Sequence, residues 1–215
     1  MSGYQLLGSN YVLPTPAGVY YAVTAAPDDK ARWFLLHMLT FTESRLLTEQ
    51  FLLTASKTRD VEEAMELLYR LQGLGWVQGE PEQRESPVGI LEEALPAILA
   101  KLSSSGKVLL VDNQGLFLSA HGFSYELAEE LSALSADLNA LYQRHERLLR
   151  NNININSSAW GLVDASGDSQ LGVWPLSVGD YQFNLVMTGV PQFNQQAFVE
   201  LIWILGKRYL ELSNL

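Results

Sequence analysis

Between Ser124 and Arg150 the chain places leucine at positions 127, 131, 134, 138 and 141. Spacings of three and four residues put these side chains within about 40° of one line on an α-helix. A helix of about seven turns with one apolar stripe is not stable alone in water and must lay that stripe on another element. The flanking segments indicate what that element is. Lys107–Asp112 (KVLLVD) and Leu116–Ala120 (LFLSA) are short β-rich runs separated by Asn113-Gln114-Gly115, a tight-turn sequence, so they form a hairpin. Beyond the helix, Ile153–Leu162, Gln170–Trp174 and Tyr181–Thr188 are further runs separated by Gly- or Asp-containing turns. A closing helix, Gln195–Leu212, turns Phe198, Leu201, Ile202, Leu205, Tyr209 and Leu212 inward. Ile90–Ser103 is amphipathic as well, with Pro96 inside it. Either the helix begins near Leu95, with Pro96 in its first turn, or it kinks there. The predicted order is helix, strand, strand, helix, three strands, helix. That makes an α+β domain: a five-stranded antiparallel sheet with three helices against it.

Residues 80–89 (EPEQRESPVG) combine two prolines with four charges and almost nothing apolar. This predicts a linker over 81–89 between an N-terminal domain, 1–80, and a C-terminal one, 90–215. In the first domain, Val19–Thr24 reads as a strand. Pro27-Asp28-Asp29 reads as a helix start, an acidic N-cap region followed by Trp33, Leu36 and Leu39 at helical spacing; Thr48–Ala55 forms a second helix. Asp60 caps a third helix, ending at Gly73 and Gly75, and Trp76-Val77 forms a short strand. Three helices followed by a strand suggest a small winged-helix-like unit. Its third helix starts with Asp60, Glu62, Glu63 and Glu66, which repel phosphates, so protein contacts suit this unit better than DNA.

Val108-Leu109-Leu110-Val111-Asp112 with Gly115 opens the C-terminal pattern. Gly122-Phe123 and Ala128-Glu129-Glu130-Leu131-Ser132-Ala133-Leu134 continue it into the long helix. Val173-Trp174-Pro175-Leu176 and Tyr181-Gln182-Phe183-Asn184-Leu185-Val186 follow. In that order these segments resemble the roadblock / dynein light chain family over about residues 90–213. Pro96 and the Asn-rich stretch Asn151–Asn156 depart from the family pattern. The resemblance implies a homodimerising adaptor or regulator working with small Ras-like GTPases or scaffolding complexes. Bacterial members include GTPase-activating partners of the gliding-motility GTPase.

The helix carries its own hint of a dimer. Ala128, Ser132, Ser135 and Asn139 lie about 80–140° from the leucine line and form a small-residue flank. Small side chains allow a second helix to approach closely, so this flank is expected to meet its copy in an isologous contact. Tyr142, Ile153 and Ile155 extend that predicted interface toward the adjoining strand. Arg144, Arg147 and Arg150, near the helix end, are candidates for contacting a partner.

Catalytic chemistry is not expected. The chain has no cysteine, which excludes disulfides, thiolate metal sites and Cys nucleophiles. His37, His121 and His145 show no metal-ligand spacing. His37 is expected to be a hydrogen-bonded core or boundary residue, and His145 to interact with its helix C-terminus. There is no Gly-x-x-x-x-Gly-Lys-Ser/Thr loop and no Gly-x-Ser-x-Gly elbow. Glu92-Glu93 and Glu129-Glu130 are helix neighbours pointing about 100° apart, which does not converge two carboxylates. No catalytic, cofactor-binding or metal residue is therefore assigned. Trp33, Trp76 and Trp203 are expected in the core, while Trp160 and Trp174 lie on strands. A net charge of −10 disfavours phosphate-backbone binding. No apolar stretch approaches the roughly 20 residues of a membrane span and no secretory signal is present, so a cytoplasmic protein is expected. The alternative function is a transcription regulator with an N-terminal helix-turn-helix and a C-terminal dimerisation or sensing domain.

Overall fold

The computed structural model describes residue 6, residues 10–87 and residues 91–210. The chain divides into two compact units: residues 1–89 with 178–180 and 193–215, and residues 90–177 with 181–192.

In the first unit, strand β1 (Tyr11–Pro14) precedes helix α1 (Pro16–Val23). The predicted strand at Val19–Thr24 is therefore helical. Thr15 caps it by accepting from the Gly18 amide, and Pro16 supplies the preset φ of a first helical residue. Gly18 is required there, because a Cβ would overlap the backbone carbonyl of Trp76. Helix α2 (Lys30–Met38) starts at the Asp29 cap, within the predicted start Pro27–Asp29. The short strand β2 (Arg45–Leu46) leads to α3 (Glu49–Ala55), capped by Thr48. Asp60 caps α4 (Val61–Gly73), whose Ala64, Leu67, Leu68 and Leu71 are buried. Strand β3 (Val77–Glu80) then pairs with β1, giving a three-stranded antiparallel sheet in the order β2-β1-β3.

The predicted linker is structured for part of its length. Ser44 donates its amide to the Arg84 carbonyl while its hydroxyl accepts from the Arg84 amide, and the Ser86 amide donates to the Thr42 carbonyl. Ser86 is buried and accepts from Lys207 Nζ. Two serines thus bind to the first unit a stretch whose charges and prolines suggest exposure.

The second unit starts with α5 (Leu91–Leu99), and Pro96 lies within it rather than in its first turn. Leu95, Ile98 and Leu99 are buried; Ile90 lies outside the described residues. Strands β4 (Val108–Asp112) and β5 (Phe117–His121) form the predicted hairpin. Asp112 Oδ1 accepts from the amides of Gln114 and Leu116, and Gly115 supplies the φ of +82° that closes the turn. Ser124 caps α6 (Tyr125–Glu146), which runs into a π-helical segment, Arg147–Asn152. Strand β6 (Trp160–Val163) begins seven residues later than the predicted Ile153 start. Strands β7 (Ser169–Val178) and β8 (Tyr181–Thr188) complete an α+β unit whose antiparallel sheet has the order β5-β4-β8-β7-β6. Every residue of β8 from Phe183 to Met187 is buried, so both faces of that strand are covered. On one face Leu109, Val111, Val173 and Val186 pack with Ala128 and Leu131 of α6.

Helix α7 (Gln196–Tyr209) is assigned to the first unit and not, as predicted, to the sheet domain. Trp203 donates its indole N–H to the Phe41 carbonyl at 2.7 Å, and Phe198 packs with Tyr20. Its residues from Ala197 to Val199 and from Leu201 to Gly206 are buried. A helix apolar on all sides needs cover on more than one face. Leu212 lies outside the described residues.

Candidate interaction surface

The placement of α6 turns the small-residue flank inward, not outward as predicted. Ala128, Ser132 and Ser135 are 1 %, 1 % and 0 % exposed within the single chain, so they cannot face a second copy. They face the sheet instead. Asn184, buried in the middle of β8, accepts from Asn139 Nδ2 at 3.0 Å and donates to Ser135 Oγ at 3.5 Å. Ser135 and Ser132 return their hydroxyls to backbone carbonyls of their own helix. The small polar flank is thus the satisfied partner of a buried amide, and its small size lets α6 lie close to β8.

The leucine stripe is split as a consequence. Leu131 enters the core and Leu138 is half-buried, whereas Leu127 and Leu134, on the outer side, are 43 % and 41 % exposed. Beside them runs β6, the last strand of the sheet. Its inner edge pairs with β7, Trp160 opposite Val173 and Leu162 opposite Leu171; its outer edge meets no described strand. Leu162 and Val163 are 68 % and 63 % exposed. A cleft of about 160 Å³ joins the two elements, lined by Leu134 and Leu138 from α6, Trp160 and Leu162 from β6, and Leu171 and Val173 from β7. An apolar edge strand beside an apolar helix row offers both free backbone hydrogen-bonding groups and area to bury.

Of the other predicted interface residues, Asn139 is committed to Asn184, and Tyr142 is half-buried. Burial, and then the charge of Glu146, hold the Tyr142 phenol above its ordinary pKa. Ile153 and Ile155 are exposed, as an interface contact requires. Arg144 and Arg147 are exposed, while Arg150 pairs with Glu146 at 2.9 Å. Leu127, Leu134, Leu162 and Val163 lie outside the interface predicted from the sequence. In the sequence Leu127 and Leu134 stand in the middle of the leucine stripe, which predicts burial, and no local signal marks Leu162 and Val163 as a sheet edge.

The N-terminal candidates sort differently. Glu62, Glu63 and Glu66 are all exposed at the start of α4, with Glu63 paired to Lys30. His37 is buried as expected, but no protein group is hydrogen-bonded to either ring nitrogen. Burial, and then the charge of Lys57, lower its pKa to about 4. His121 is exposed, with Nδ1 2.7 Å from the Gly106 carbonyl, and His145 is exposed near the end of α6. Trp203 is core; Trp33 and Trp76 are half-buried, Trp76 stacking on Tyr21 at 4.0 Å. Among the described residues there is no metal-binding group of three or more His, Asp or Glu side chains, and no helix is long and apolar enough to cross a membrane.

No known family profile matches the chain, and no curated protein matches it. Among solved structures, the chain is similar to the Roadblock/LC7 domain from Streptomyces avermitilis. The identity is 12 %, the match covers 57 % of this chain and 95 % of that one, and the TM-score is 0.35. It is also similar to Myxococcus xanthus MglB, at 18 % identity over 54 % of this chain and 85 % of that one, with a TM-score of 0.31.

Proposed function

We propose that this chain is a non-catalytic homodimeric adaptor or regulator with a roadblock-like sheet unit, acting on a small Ras-like GTPase or a scaffolding complex. The observation that carries the reading is the open edge of β6 beside the exposed Leu127–Leu134 row. A second copy related by a twofold axis sets β6 against β6 and the two leucine rows against one another, so one patch serves both subunits. Pairing removes the hazard of an apolar sheet edge and buries the cleft between α6 and β7. Ile153 and Ile155, both exposed, are assigned to the same interface. Arg144 and Arg147, also exposed, are assigned to an acidic partner surface, while the partner's own residues perform any hydrolysis.

The N-terminal winged-helix-like unit is assigned to protein contacts. The exposed glutamates at the start of α4 oppose approach to phosphates.

Light scattering of the full chain at micromolar concentration tests the dimer. The mass of two chains is expected, and Leu134→Glu combined with Leu162→Glu should reduce it to one while circular dichroism stays unchanged. A wild-type monomer removes the proposal. Partner specificity is tested against purified small Ras-like GTPases: binding that Arg144→Glu with Arg147→Glu abolishes supports the GTPase reading, and no binding in either nucleotide state refutes it.

A further inference from the structure

The first unit holds an aromatic cluster with a chemistry the dimer surface does not use. His37 of α2 is 2 % exposed, with Phe51 of α3 nearly parallel to it at 5.8 Å and Phe41 edge-on at 5.2 Å. The imidazole lines a cleft of about 680 Å³ between α2, β2 and α3. That volume is in the range of small-molecule sites, about 300–1,000 Å³. Phe41, Leu46 and Phe51 give the cleft its apolar part, while Arg45, Thr48, Gln50, Thr54 and Gln83 supply polar groups. An imidazole with no protein partner on either nitrogen is an unmet hydrogen-bonding demand in the wall of this cleft. Held neutral near pH 7 by its burial, it offers one donor and one acceptor.

Charge around the cleft narrows the ligand class. The Arg45 guanidinium lies 4.6 Å from the centre of the Phe41 ring, and its ion-pair partner Glu43 stands at 3.8 Å, longer than a charge-assisted hydrogen bond. Lys57 places its ammonium 3.4 Å over Trp33, whose ring is stacked 6.4 Å from His37. Arg45 is the cation among the lining residues, with Lys57 on the far side of the cluster over Trp33, and both favour an anion in the cleft. Phe41 neighbours both Arg45 and His37, so a flat ring set against it lies near both the cation and the imidazole.

We propose that this cleft binds a small aromatic carboxylate, its ring against Phe41 and Phe51, its carboxylate on Arg45 and a ring hydroxyl on His37. The probe is 6-hydroxy-2-naphthoate, titrated into the full chain by calorimetry and by nitrogen-15 NMR of the histidine rings. Saturable binding of one molecule per chain is expected, with the His37 resonances moving and those of His121 and His145 fixed. Arg45→Gln should weaken the carboxylate by about tenfold and leave the neutral analogue 2-naphthol unchanged. His37→Phe should abolish the preference for 6-hydroxy-2-naphthoate over 2-naphthoate. If His37→Phe does not fold, Arg45→Gln at its half-exposed position and the His37 resonances still decide the matter. The proposal is overturned by no saturable binding at millimolar probe, by unmoved His37 resonances, or by an Arg45→Gln affinity equal to wild type.

Discussion

Ser135→Leu separates the two possible roles of the small flank on α6. If that flank met a second copy, a leucine there would weaken the dimer and leave each chain as stable as before. The geometry dictates the reverse. Ser135 is fully buried, and its oxygen lies 3.5 Å from the Asn184 amide. Adding a leucine forces α6 away from β8, at a cost of about 1–3 kcal/mol for overpacking a closed contact. Removing the hydroxyl also leaves one Asn184 N–H unpaired. Because that bond is long, its loss belongs at the low end of the usual range, about 1 kcal/mol. The sum is about 2–4 kcal/mol, which for a chain of this size lowers the melting midpoint by about 4–16 °C. Thermal melts followed by circular dichroism, with Ser135→Ala as the small-volume control, read this directly. A Ser135→Leu protein that melts with the wild type but has lost its partner copy would refute the assignment of this flank to the sheet.

Local signals in the chain are read correctly where one residue performs one function. Asp60 caps its helix as expected, the caps Asp29 and Ser124 fall within the predicted starts Pro27–Asp29 and about Ser124, and the Asp112–Gly115 turn closes its hairpin. Tyr181–Thr188 matches β8 residue for residue. The errors arise where tertiary context decides. Val19–Thr24 has strand-forming side chains, yet Thr15-Pro16 ahead of it is a helix start, and the cap outweighs the propensity. In α6 the periodicity identifies an apolar stripe but not which border of it turns inward. Asn184 decides that: an amide inside the apolar run of β8 needs partners, and Ser135 and Asn139 are spaced to supply them. Helix α7 shows the same limit. Its apolar stripe is legible, but Val199, Trp203 and Ile204 on the remaining faces are also buried, and a helix apolar all round carries no periodic signal of which unit it packs in. The edge of β6 was not legible at all, because sheet order is set by pairings far apart in the chain.

Two further substitutions test the packing. Gly18→Ala should lower the melting midpoint although alanine is the better helix former by about 1 kcal/mol, because its Cβ meets a backbone carbonyl that has no side chain to rotate away. A midpoint equal to or above wild type would show that α1 and the Trp76 segment are not in contact. The remaining prediction concerns pH and His37. Its folded pKa, about 4, lies below the ordinary value of 6.5, so between those limits the unfolded chain binds the extra proton. Stability from this residue is therefore full above pH 6.5 and falls as the pH drops, by roughly 1.4 kcal/mol per unit inside the window. Carboxylates titrate near the lower limit, so the informative quantity is the difference between wild type and His37→Phe in urea midpoints at pH 7, 5.5 and 4.5. That difference should shift in favour of His37→Phe with each step downward. A difference that stays constant would mean that the imidazole takes up its proton within the folded chain as readily as in the unfolded one, which is incompatible with a ring enclosed by Trp33, Phe41 and Phe51 beside the positive charge of Lys57.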